Sequence, residues 1–73
     1  MITDQDAIEV AREMADQAGW TWIEPAQVTW HAAWFRGAGK WEVWSNAAGL
    51  GAKVRVIVDS GSGAVISTGF IPQ

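Results

Sequence analysis

Residues 4–18 carry a helical repeat, and the chain beyond Pro25 alternates with a period of two, so one helix has to be accommodated against strands. In DQDAIEVAREMADQA, the residues Ala7, Ile8, Val10, Ala11, Met14, Ala15 and Ala18 share an arc of roughly 160°. Gln5, Asp6, Glu9, Arg12, Glu13, Asp16 and Gln17 fill the opposite arc. Thr3 stands where an N-cap belongs, with Asp6 three residues on in a capping-box relation, and Gly19 follows the last turn. The apolar face is mostly alanine. Such a face lets the helix axis approach a sheet closely and calls for bulkier side chains from the facing layer.

The alternating part divides at its turn residues. Segment 27–36 (QVTWHAAWFR) reads as a strand closed by GAG at 37–39, and 40–46 (KWEVWSN) as a second. AAGLG at 47–51 is a looser link to a third strand, 52–59 (AKVRVIVD), and SGSG at 60–63 a tight turn into a fourth, 64–70 (AVISTGF). Short links make consecutive strands antiparallel neighbours. The expectation is a single α+β domain over residues 1–73, an N-terminal helix packed on one face of a four-stranded antiparallel meander. GWTWIEP at 19–25 is extended, either as a short edge strand or as the arm joining helix to sheet.

A chain of 73 residues buries little surface, and small domains usually add disulfides, a metal or a partner subunit. Cysteine is absent and histidine single, which excludes disulfides and thiolate sites and leaves no set for a dedicated zinc site; no cofactor is expected. Six tryptophans, each able to bury about 150–250 Å², are the candidate replacement. Net charge is −3, which argues against nucleic acid as the main partner. The acids concentrate in residues 1–24, six against one base, while the remainder is mildly basic. MITDQDAIEVA offers neither a basic segment nor an apolar one of the signal-peptide kind, and no apolar run reaches membrane-spanning length. The expectation is a cytoplasmic chain without membrane contact.

Catalytic motifs fail on inspection. RGAGKW has Trp34 where a phosphate-binding loop needs its first glycine and Trp41 where it needs a hydroxyl. His31, the one imidazole, would need a serine or an acid within hydrogen-bond reach. Glu42 and Asp59 stand near Lys53 and Arg55 in pattern, as cross-strand ion pairs would. The chain reads as non-enzymatic.

Alternation sorts the tryptophans. Val28, Trp30, Ala32 and Trp34 share one side of the first strand, matched by Trp41 and Val43 and by Val54, Val56 and Val58. That side belongs to the helix, so Trp30, Trp34 and Trp41 are expected in the core. The other side carries Thr29, His31, Ala33 and Phe35, then Glu42 and Trp44, then Lys53, Arg55, Ile57 and Asp59. There Trp44, Phe35 and Ile57, with His31 and Arg55, form an aromatic, weakly basic patch of the composition found at interface hot spots. Trp20 and Trp22 alternate on the arm, so at most one of them is expected to face the core, the other covering an edge or rimming a cavity.

AIEVAREMADQAG, then Gly39, Trp41 and Val43, then VRVIVDSGSGAVI with Val56, Val58, Asp59, Ser62, Gly63 and Val65 in the last hairpin, resembles PepSY-type domains and small immunity-type proteins of cystatin-like fold. The resemblance spans most of the chain and implies a cystatin-like fold and a non-catalytic binding role, either inhibition of a protease or neutralisation of a toxin. Two functions follow as expectations. The first is a module that engages a protein, a homodimer partner included, through the outer sheet face. The alternative is a sequestering protein that stacks a planar aromatic small molecule on its tryptophans.

Overall fold

The computed structural model describes residues 2–33, 39–47 and 49–72. Helix α1 spans Asp4–Ala18 and is followed by strands β1 (Gln27–His31), β2 (Lys40–Trp44), β3 (Lys53–Asp59) and β4 (Val65–Ile71). The strands form one antiparallel sheet in the order β1-β2-β3-β4, with α1 packed against one face, an α+β arrangement as expected. Among the described residues no helix is long and apolar enough to cross a membrane.

The helix ends are those the sequence signals. Thr3 Oγ1 accepts from the Asp6 N–H at 3.2 Å, and Asp6 Oδ2 accepts from the Thr3 N–H at 3.1 Å. At the other end Gly19 takes φ 77°, a left-handed value that glycine adopts without strain, and the Trp20 N–H closes onto the Ala15 carbonyl at 2.8 Å. Ala7, Ala11 and Ala15 are wholly buried against Val43, Val54, Val56 and Val58. Ala18, placed on the same arc, is exposed.

Strand bounds differ from the expected ones at the ends. β1 stops at His31, five residues short, because its last partner is Lys40, where β2 begins. Ala32 and Ala33 are exposed and outside the strand. β2 stops at Trp44: Asn46 takes φ 52°, which ends an extended run, and its side-chain amide donates to the Leu50 and Ala52 carbonyls at 3.0 and 3.2 Å. β4 runs one residue past its expected end, to Ile71. The arm of residues 20–26 forms no strand and is tied to this loop, with the Asn46 N–H on the Ile23 carbonyl and the Ala47 N–H on that of Pro25.

Cross-strand rows follow the alternation. Trp30, Trp41 and Val58 form one helix-facing row, and Val28, Val43, Val56 and Thr68 the next. On the outer face the rows are Gln27, Trp44, Arg55, Gly69 and Thr29, Glu42, Ile57, Ser67. Two burial expectations are corrected. Trp30 faces the helix side but is 43 % exposed, lying edge-on to Trp41 with ring centroids 4.7 Å apart. Ile57, expected as part of an exposed patch, is only 7 % exposed. Trp41 is half-buried, its indole N–H donating to the Ile2 carbonyl at 3.2 Å, and Trp34 lies outside the described residues.

Candidate functional site

Three surfaces can be built from the described residues. On the outer face, Glu42 stands between β1 and β3 and its side chain is only 16 % exposed. Its Oε1 accepts from His31 Nε2 at 2.9 Å and its Oε2 from Arg55 Nε at 2.6 Å. The His31 and Arg55 hydrogen bonds hold the Glu42 carboxyl below its ordinary value, because each stabilises the carboxylate. The Arg55 guanidinium in turn lies 5.8 Å from the centre of the Trp44 ring, within cation–π range. Trp44 is half-buried and forms, with Gln27, Thr29, Ala47 and Lys53, a depression of about 270 Å³.

This arrangement alters the expected patch. His31, Arg55 and Trp44 are joined, but through Glu42, and Ile57 is buried in the row between Glu42 and Ser67. Phe35 lies outside the described residues. Among the described residues the outer face is ionic, with the Trp44 indole beside Arg55. Of the expected ion pairs, Glu42–Arg55 forms. Asp59 instead accepts from the Ser62 and Gly61 N–H groups and the Ser62 hydroxyl, hydrogen bonds that depress its carboxyl and shape the turn into β4. Lys53 donates to the carbonyls of Asn46 and Gly49.

His31 has an acid within reach, yet a hydrolytic arrangement also needs a nucleophile. Ser45 Oγ accepts the Val54 N–H, Ser62 Oγ donates to Asp59, and among the described residues His31 hydrogen-bonds to Glu42 and to no serine. The pair lines none of the grooves described here. Glu42, held between two cationic or potentially cationic groups, serves as a clamp between strands. No group of three side chains placed to hold a metal ion occurs among the described residues.

The second surface is β4 itself. It is an edge strand of seven residues, VISTGFI, with no charged side chain. Val65, Ile66, Phe70 and Ile71 on it are 38, 53, 37 and 46 % exposed. The sequence-based expectation placed this strand last in the meander and gave it no part in binding. The available signal was its position last in a meander, which makes it an edge, together with the lack of lysine, proline or acid that edges usually carry.

A groove of about 520 Å³ is the third surface. Glu9, Arg12, Glu13 and Asp16, spaced along the polar side of α1, make one wall, and Trp20 and Trp22 the other. Both indoles are half-buried against the core, so the expectation that only one could face it is corrected. Trp20 stacks on Phe70 of β4 at 5.6 Å and 18°. The Trp22 N–H donates to Glu24, whose carboxylate also lies 3.6 Å from Arg12. Arg12 bonds Glu9 at 2.9 Å. No family model, curated protein or solved structure matches the chain.

Proposed function

We propose that this chain is a non-catalytic binding module that engages a protein through its sheet, with a second copy of itself as the occupant of β4. A seven-residue uncharged edge strand with four exposed apolar side chains is the observation that carries this reading. An open edge offers unpaired backbone N–H and C=O groups to any extended chain. Antiparallel pairing of β4 with β4 of a second copy is two-fold symmetric, so one strand serves both sides and the assembly closes. It also covers apolar surface on a domain whose own core is small. A protease or a toxin, the partners implied by the PepSY-type and immunity-type resemblance, would use the same edge and the adjoining outer face where Trp44 and Arg55 lie.

Sedimentation velocity tests this directly. The parent chain is expected to sediment as a dimer, and Ile66→Lys with Ile71→Lys as a monomer with unchanged far-UV circular dichroism. A parent that stays monomeric at high concentration, or a double variant that still dimerises, removes β4 as the contact. Dimerisation abolished by Trp44→Asp but not by the β4 changes moves the contact to the outer face.

A second reading is favoured by the groove beside Trp20 and Trp22. Its volume of about 520 Å³ falls in the range that takes drug-sized molecules, and two indoles offer rings for stacking. Under this reading the chain sequesters a flat small molecule. Saturable quenching of indole fluorescence by a planar compound, lost in Trp22→Ala, is the expected result.

A further inference from the structure

We infer that the groove between the polar side of α1 and the Trp20–Trp22 arm selects a flat organic cation; this rests on the small-molecule reading and adds the charge of the ligand to it. The argument begins with what the walls have left to offer. Arg12 is engaged by Glu9 at 2.9 Å and approaches Glu24 at 3.6 Å, so its charge is already balanced and it is not free to receive an anion. The Trp22 N–H is taken by Glu24, which leaves its ring, not its donor, for a ligand. Trp20 has one ring face on Phe70 and is thereby held in place.

What remains directed to a ligand is carboxylate and indole. Three acids, Glu9, Glu13 and Asp16, line the groove against the single guanidinium. Glu13 is met by the Gln17 amide at 3.4 Å, a long neutral contact, and Asp16 has no side-chain partner among the described residues. Aromatic rings bearing negative π faces beside uncompensated carboxylates are the combination that recognises a delocalised cation. An anion meets repulsion in this groove. A neutral flat molecule gains the stacking alone.

Proflavine, a flat tricyclic cation, and acridone, a neutral tricycle of similar outline, separate the two contributions when titrated calorimetrically into the full chain. Proflavine is expected to bind one per chain and about tenfold or more tighter than acridone, the size of a partly desolvated cation–π and charge contribution. Glu13→Gln with Asp16→Asn, both on the exposed helix side, is expected to erase that preference with the fold intact, whereas Trp22→Ala weakens both ligands. Equal binding of the two tricycles, or a preference that survives the double acid variant, overturns the cation inference while the small-molecule reading stands. Saturable binding of neither overturns both.

Discussion

Glu42 accepts a hydrogen bond on each carboxylate oxygen, from His31 on β1 and from Arg55 on β3, so one side chain ties three strands on the face that has no helix. Because its folded pKa is depressed, the unfolded chain binds the proton more readily. The resulting stability is complete above the ordinary glutamate value near about 4.3 and is lost as pH falls through the lower folded value. Asp59 is depressed by the Ser62 and Gly61 hydrogen bonds and contributes in the same direction, its share present above the ordinary aspartate value of about 3.9 and lost below it. Urea unfolding followed between neutral pH and about pH 3 is therefore expected to show stability falling on acidification, with part of the slope absent in Glu42→Gln. At neutral pH the same variant should lose about 1 kcal/mol, a modest figure because His31 and Arg55 are about half and a third exposed and solvent screens them. An unchanged pH slope in Glu42→Gln would show that the clamp carries no stability. Alternation in the sequence placed Glu42, Arg55 and His31 on one face, because side-chain direction has a period of two. It could not show that Ile57 is buried there, since depth depends on which neighbouring side chains close over a position.

Helix α1 is the element in which sequence and structure agree most closely, and the reason is local. A capping box and a left-handed glycine are short-range devices that fix both ends without reference to the sheet. Strand ends are set by partners instead: β1 stops at His31 because the register gives it Lys40 as the last opposing residue, and no pattern within β1 contains that information. The alanine face has a mechanical consequence. Ala7, Ala11 and Ala15 pack with buried valines and have no exposed area at all, so a larger side chain there must be fitted inside a close-packed interior. Ala11→Leu is expected to destabilise by about 1–3 kcal/mol through overpacking. Ala18→Leu, on the same arc but exposed, should leave the urea midpoint nearly unchanged. Equal midpoints for Ala11→Leu and the parent would mean the helix can lift away from the sheet at no cost.

The thin interior also explains where the tryptophans of the whole molecule went. The wholly buried layer is alanine on valine, and none of Trp20, Trp22, Trp30 and Trp41 is fully buried in it. They surround that contact instead: Trp41 and Trp30 on the β1–β2 side, Trp20 against Phe70 on the β4 side and Trp22 on the arm. Alternation put Trp30, Trp34 and Trp41 in the core, whereas among the described residues the largest fully buried apolar side chains are valines. Gly39 shows how closely one of these rings is fitted: a Cβ there would stand 2.5 Å from the Trp30 ring, so the absence of a side chain is what lets the indole lie over β2. A single helix that contacts β2 and β3 most heavily leaves Val65 and Phe70 of β4 partly exposed on its own side, while Ile71, opposite Lys53, is exposed on the face without a helix. If a second chain covers β4, folding and association are linked, and stability must depend on concentration. The thermal midpoint of the parent is then expected to rise by several degrees between low and high micromolar chain, since a change of 1 kcal/mol moves a domain of this size by about 4–8 °C. Ile66→Lys with Ile71→Lys should give a midpoint that does not move with concentration and that meets the parent's low-concentration value, because both side chains are exposed in the single chain. A parent midpoint independent of concentration would show that the edge stays open and that the binding role of β4, if retained, belongs to a different protein.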